Sequence, residues 1–543
     1  MIEMAGLDWF WMVALIVAML FLGVLFYNLG KRSEADFFLA GRGLPWWLPA
    51  SSVYATHTGT DTPIWYGGVI YRYGLAGIWY GFFAVWVSIS AFFSTRIFRR
   101  SPAYTQGDWQ TLRYAGLGGE LTRGYLSGWR VFMDIWTVGW MNAAIYKICN
   151  YLWGMDYTTA FLIFTITVAV YTLFSGYWGV VVADFQQSIL VLSAIVIVSI
   201  FGIVQAGGPA GIMDKLHLLG EGWRANPFSF VVGKSGNGIP LAWFLTMIFA
   251  STLAGIGMGS HTDWYTEAQR IQSARTLKDG TYSMWSASLM VILRNSLWAV
   301  AILAFFVMFP GIVDEGTYEM AWYRVGFDFL PVGLLGFFLG CIIAIHFSTV
   351  STHLNLGSSY FTRDLYQHYI NPKASPKKLI TVGRIGILVT LAGSFFLGYM
   401  MKENITTWLI FAMWVGMAGT WIPCVLQVVW WRFNAKGWLA AWIANLGLAW
   451  LIAWILPALG VIPKDIPDYI QFWVLLGISA VIYLPVTLLT KPEDMGHLVK
   501  FYVMNKPYGF WGPVRREAIR RGLLTNDSAA VKAAESVKGG EKS

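Results

Sequence analysis

Residues 45–71 read PWWLPASSVYATHTGTDTPIWYGGVIY. The stretch is long enough to cross a bilayer, which takes ~20 residues of helix. Its middle, from Ala55 to Pro63, is polar and holds two helix breakers, Gly59 and Pro63. A backbone that leaves the helix inside hydrocarbon frees polar groups. Those are tolerated only where protein, an ion or cavity water satisfies them. The segment 240–266 repeats the pattern, beginning PLAWFLTMIFASTLAGIGMGSHTDWY. Its second half carries Gly255, Gly257 and Gly259, then Ser260, His261, Thr262 and Asp263.

The rest of the chain supplies the setting. Of its 543 residues 57% are hydrophobic and only 12% charged. A soluble domain carries roughly 25% charged residues, so this chain cannot cover a water-facing surface. Its apolar stretches are long enough for helices rather than barrel strands. About thirteen spanning helices are expected, near 9–29, 45–71, 75–97, 128–153, 156–175, 177–204, 240–266, 282–310, 331–362, 378–400, 404–430, 436–459 and 469–490. The two broken segments are each followed by four helices that complete a five-helix unit. Paired interrupted helices at matching positions mark an inverted-repeat transporter with its site at the bilayer midplane. The expected organisation is a first helix and loop over 1–44, one repeat over 45–204 and an outer loop over 205–239. The inverted repeat follows over 240–430, then two added helices over 431–490 and a polar, disordered tail over 491–543.

The formal charge of +9 is no nucleic-acid signal, because the basic residues sit in loops and tail. Alternate loops hold Lys31, Arg32 and Arg42; Arg96, Arg99, Arg100, Arg113 and Arg123; Arg270, Arg275 and Lys278; and Arg363, Lys373, Lys377 and Lys378. The positive-inside rule then puts the N-terminus outside and the tail in the cytoplasm. The stretch from Phe10 to Tyr27 lacks a basic region before it and a cleavage site after it, and reads as a retained helix. Cys149, Cys341 and Cys424 lie in apolar segments and offer neither a disulfide framework nor a metal spacing. No nucleophile elbow, phosphate loop, zinc motif or dinucleotide turn occurs in a suitable context, so an enzyme is not expected.

Four regions carry polar chemistry. Carbonyls freed around Ala55 to Thr60 form a hard-oxygen set of the kind a small alkali cation prefers. In IHFSTVSTHLNLGSSYFTRDLY, from Ile345, the residues Ser348, Ser351, Thr352 and Asn355 fall on one helical stripe, with Thr349 at its edge. Such hydroxyls can bond back to their own helix, but so dense a stripe points to an ion or solute site. Asp184, in SGYWGVVVADFQQSILVL, is an acid within a membrane segment, a functional candidate by default. Around the breaks lie His57, Asp61, Thr62, Trp65, Trp136, Trp140, Asp263, Trp264 and Tyr265, where ring faces suit a sugar or a cation. Asp134, Lys147, Arg294, His346 and His353 are further ionisable residues in apolar segments; Lys147 is expected to snorkel, and Arg294 has no assigned role.

The chain resembles the sodium/solute symporter family of sodium-coupled sugar, proline and sialic-acid transporters. The resemblance runs from FFLAGRGLPWWLPASSVYAT (37–56) through YTLFSGYWGVVVADFQQSILV (171–191) to STVSTHLNLGSSYFTRDLY (348–366) and WWRFNAKGW (430–438). It implies a LeuT-type core of ten helices, here about 45–430. The family's main sodium site falls on Ala55, Thr58, Ile345, Ser348 and Thr349, with Ile345 replacing a residue that is usually small. A second sodium site, present in some members, falls on Asp184, Ser348, Ser351 and Thr352. The family's sugar contacts do not carry over, since His57, Thr62 and Asp263 stand where sugar carriers place amides and a gating Tyr. Asp61 and Asp263 lean toward a neutral polyhydroxylated or a cationic solute.

These readings lead to one expectation, a sodium-coupled importer of a small organic solute in a bacterial inner membrane. Its partners are the solute, sodium ions and the lipid bilayer, with no nucleic acid and no obligate protein. Two rivals stand beside it. One is proton coupling through His57, Asp61 or Asp184; the other is a transporter-like solute sensor.

Overall fold

A helix bonds its own backbone, which is why a chain this apolar folds almost entirely into helices. A computed structural model describes residues 4–26, 39–81, 83–220, 225–232, 238–257, 264–312 and 314–524. Among these, strand structure is one two-residue parallel pair, Phe230–Val231 with Ile239–Pro240. Six helices among the described residues are long and apolar enough to cross a membrane, or seven if the bent pair Gly116–Trp153 and Tyr157–Val170 is one span. Others are shorter because they are interrupted.

The first helix, α1 (Gly6–Phe26), is docked by Asp8, a buried acid near its start. Asp8 Oδ1 accepts from the amides of Gly333 (2.7 Å) and Gly336 (2.8 Å), the donors that open a long central helix. The segment 45–71 is two helices, α2 (Trp47–Thr56) and α3 (Thr62–Tyr73), with Pro63 in the first turn of α3, where it loses no hydrogen bond. After α4 (Phe83–Phe92), α5 (Ser94–Arg100) and α6 (Gln106–Arg113) comes α7 (Gly116–Trp153). It starts further back than the apolar run at 128–153, because polar residues such as Arg123 are paired inside protein. It stops at Gly154, whose left-handed φ of 66° suits glycine. Then follow α8 (Ile166–Gln205), α9 (Leu241–Ile256), α10 (Trp264–Ser273) and α11 (Leu277–Met308).

The loop between 310 and 330 folds into α12 (Glu315–Glu319) and α13 (Ala321–Phe329), which pack on α3. Helix α14 (Leu334–Ser359) is the central one, continuing into π-helical turns over Tyr360–Ile370. It lies against α1, α2, α7 and α8. Then come α15 (Pro376–Met401), α16 (Ile405–Ile410), α17 (Trp421–Val429), α18 (Ala435–Trp450) and α19 (Asp468–Leu489). The first part of the tail, expected to be disordered, is helical in α20 (Met495–Asn505) and α21 (Gly512–Arg520). Glu493 holds it by accepting from the amides of Ala115 and Ala435, both at 2.9 Å. Residues 525–543 lie outside the described residues.

Candidate functional site

The break between α2 and α3 runs from His57 to Asp61. Glycine is required in it: a Cβ at Gly59 would sit 2.2 Å from Asp61 Oδ1 and 2.7 Å from Met141 Cε. The freed backbone groups are largely claimed. Arg294, fully buried on α11, donates to the His57 carbonyl and, at 2.7 Å, to Thr58 Oγ1. Tyr323 of α13 donates to the Thr60 carbonyl at 2.8 Å. The Gly59 carbonyl accepts from the Thr62 amide and the Ala55 carbonyl from the Thr58 amide. Among the described residues none donates to the Thr58 carbonyl. Arg294 thus gains a role that its isolated place in an apolar segment did not disclose.

The hydroxyl stripe lies on α14, and its members differ. Ser348 Oγ donates to Asp184 Oδ1 at 2.5 Å, and Ser351 Oγ to the Ser348 carbonyl at 3.0 Å. Thr349 Oγ1 and Thr352 Oγ1 are buried with no hydrogen-bond partner among the described residues. Such groups cost stability in a dry interior, and each one calls for an explanation. Ile345 is buried beside them. Asp184, on α8, is 1% exposed. It also accepts from Ser52 Oγ of α2 at 2.5 Å, and Arg270 Nη2 of α10 lies 3.6 Å from Oδ2.

A cavity opens against the first break. Its lining includes His57, Asp61, Thr62, Trp65 and Trp140 of the expected solute residues, with Thr349 of the stripe. Thr56, Gly59, Thr137, Met141, His353 and Leu409 complete its polar and apolar walls. Trp136 lies elsewhere, in an apolar cleft with Trp129, Phe411 and Trp450. The helical step from Trp136 to Thr137 turns the chain by 100°, which separates the two walls. Asp263 and the side chain of Trp264 lie outside the described residues.

Charged pairs tie the surrounding helices together. Glu267 of α10 contacts His57 Nε2, joining the two interrupted segments. Asp134 accepts from Arg130 at 3.1 Å and lies 2.8 Å from His353 Nδ1. Toward one end of α7, Arg123 pairs with Asp364 (2.6 Å) and Asp108 (2.9 Å). Toward the other, Lys147 contacts Glu319, which accepts from Thr406 Oγ1 at 2.5 Å. Sequence reasoning left Glu267 unplaced and read Arg270 as a loop cation. The signal was there in TEAQR (266–270): two charges directly after a glycine-rich break.

The family model for the sodium:solute symporter family matches residues 37–445, three quarters of the chain. The chain belongs to the sodium:solute symporter family. The osmoregulated proline transporter OpuE of Bacillus subtilis (strain 168) is 25% identical over 502 residues, covering 90% of this chain and 96% of its own. The sodium/mannose cotransporter SLC5A10 of Bos taurus is 24% identical over 455 residues, covering 77% of this chain and 73% of its own. An outward-open, substrate-bound Na+-coupled sialic acid symporter shares the fold with a TM-score of 0.69 and 17% identity, over 91% of this chain and all of that one. Mhp1, a nucleobase-cation-symport-1 family transporter in a closed conformation, follows at a TM-score of 0.52 and 13% identity, over 84% of this chain and 95% of that one. These relatives and this fold are those of membrane transporters, not enzymes, and symport across a membrane is the family's activity.

Proposed function

We propose that this chain imports a small organic solute by sodium-coupled symport, through alternating access of a ten-helix core of two inverted five-helix repeats over 45–204 and 240–430. The reading places about thirteen spans in a bacterial inner membrane, the N-terminus outside and the tail in the cytoplasm. The observation that carries it is the Thr349 hydroxyl, buried with no hydrogen-bond partner among the described residues, in the wall of a cavity that also takes in His57 and Gly59 of the first break. Ala55, Thr58, Ile345, Ser348 and Thr349 are the proposed main sodium ligands. Asp184, Ser348, Ser351 and Thr352 are proposed for a second ion. The solute would lie among His57, Asp61, Thr62, Trp65 and Trp140, beneath the α12–α13 lid; Asp263 and Trp264 are assigned to the same pocket.

The relatives are named for proline, mannose and myo-inositol. The cavity's ring faces, hydroxyls and Asp61 suit a neutral polyhydroxylated or a cationic solute. Sodium entry then supplies the work, with ~2.3 kcal/mol per charge per 100 mV from the membrane potential.

The test has two steps. A thermal-shift screen of a solute library in sodium and in potassium identifies the solute, since a binder at 100 times its Kd adds ~2.7 kcal/mol. Uptake of that solute into proteoliposomes should then follow an imposed sodium gradient. Full gradient-driven uptake without sodium refutes the reading, and uptake that follows pH instead assigns the coupling to protons.

A further inference from the structure

Asp184 already has a cation. Arg270 is 0% exposed and Asp184 1%, so neither charge is offset by water. The guanidinium reaches from α10, just past the second break, to α2 and α8. Its Nε donates to Ser52 Oγ at 3.0 Å, and its Nη2 to Thr56 Oγ1 at 3.3 Å. Ser52 Oγ in turn donates a hydrogen bond to Asp184 Oδ2 at 2.5 Å, and Nη2 lies 3.6 Å from that same oxygen. The carboxylate therefore joins α2, α8, α10 and α14, the last through Ser348. An ion held by Asp184 with Ser348, Ser351 and Thr352 would approach the same two oxygens. Thr352 Oγ1 is buried with no hydrogen-bond partner among the described residues. Two cations on one dry carboxylate repel each other at close range, so each weakens the other's hold.

We propose that Arg270 and a coupling sodium compete for Asp184. This rests on the reading that Asp184 takes the second ion. Without that ion, the guanidinium clamps the start of α10 onto the first broken helix through Ser52 and Thr56. With it, the Asp184 oxygens turn to sodium and the clamp slackens. Arg270 is thus a positioning residue that reports ion occupancy to the second interrupted helix, the segment that carries Glu267 against His57.

Sodium titrations of the purified full-length chain at constant ionic strength test this, followed by intrinsic fluorescence. Arg270→Gln should bind sodium more tightly, with half-saturation lowered about tenfold by removal of the competing charge. Arg270→Lys, which keeps the charge, should stay near the wild type. In an Asp184→Asn background, Arg270→Gln should change nothing. A merely structural arginine predicts the opposite sign, weaker sodium binding when it is removed. Weaker or unchanged binding in Arg270→Gln overturns the competition. Should that variant not fold, hydrogen exchange over Trp264–Ser273 in the wild type decides: faster in sodium than in potassium supports the slackened clamp, and equal or slower exchange overturns it. A wild type indifferent to sodium in both titration and uptake removes the symport reading as well, which separates the two failures.

Discussion

Replacing Arg294 with methionine keeps most of the side chain's volume and removes its charge and donors. Arg294 makes two hydrogen bonds to the break, to the His57 carbonyl and Thr58 Oγ1, and its guanidinium stacks 4.7 Å from the Trp298 ring centroid. Bonds from a charged donor contribute about 1.5–3 kcal/mol each, and a desolvated cation–π contact about 2. Against this gross stabilisation of about 5–8 kcal/mol stands the cost of burying a guanidinium, several kcal/mol that the methionine variant no longer bears. The net loss should be about 2–4 kcal/mol. The consequence for sodium is separable. With the brace gone, His57 and Thr58 regain backbone freedom, and fixing one residue costs about 1–2 kcal/mol. Sodium must then order the Thr58 carbonyl itself, and half-saturation should rise about 10–30-fold. Thermal unfolding with and without sodium measures the first quantity, and sodium titration of the folded variant the second. A variant that is destabilised as expected yet binds sodium like the wild type would show that Arg294 supports the fold without shaping the ion site.

Thr349→Val removes a buried hydroxyl that has no partner among the described residues. It should therefore leave the sodium-free protein as stable or slightly more so, while raising sodium half-saturation about tenfold; melting curves in potassium and uptake curves in sodium test the two signs. Trp140→Ala and Trp136→Ala both lose packing, ~3–5 kcal/mol each, but only Trp140 lines the cavity. Solute half-saturation should rise at least about tenfold for the first and stay within about twofold for the second, as measured by uptake at saturating sodium. Burial holds the His497 imidazole below its ordinary 6.5, with Arg113 adding to the shift and Glu493 and Asp494 opposing it. A depressed folded-state value means that the docked helix α20 binds fewer protons than the free one. Docking is then complete above about pH 6.5 and weakens as the pH falls below it, so hydrogen exchange over Met495–Asn505 should quicken on acidification and not on alkalinisation.

What the sequence disclosed follows from where its signals are local. Gly59 and Pro63 interrupt an apolar run, and the structure breaks the helix between them because a Cβ at 59 has no room. The stripe from Ser348 to Thr352 is a matter of helical angle alone, and α14 is continuous through it. Trp136 lines the apolar cleft rather than the cavity, and because an apolar helix buries all its faces, periodicity cannot say which wall a given ring joins. Arg294, Glu267 and Arg270 were visible as charges but not as partners, because each meets a residue more than two hundred positions away. The same holds for the lid: nothing near Tyr323 in sequence announces that its hydroxyl ends on the Thr60 carbonyl.

Under the proposed alternating access, those long-range pairs would let each end of the core close without being locked. A buried ion pair is worth little net, because desolvation offsets its attraction. Splitting one in a dry interior is costly, about 3–5 kcal/mol when a charge is left uncompensated. Splitting one into water is not, since water then replaces the lost partner. Along α7 the pairs sit toward the two ends of the helix. Lys147 with Glu319 holds the α12–α13 lid, and Arg123 with Asp364 and Asp108 holds α6 and the π-helical turns after α14. Each pair is therefore stable while its end stays dry and parts readily once that end is hydrated. Apolar contacts alone would not respond this way, because hydration opposes their separation at every stage.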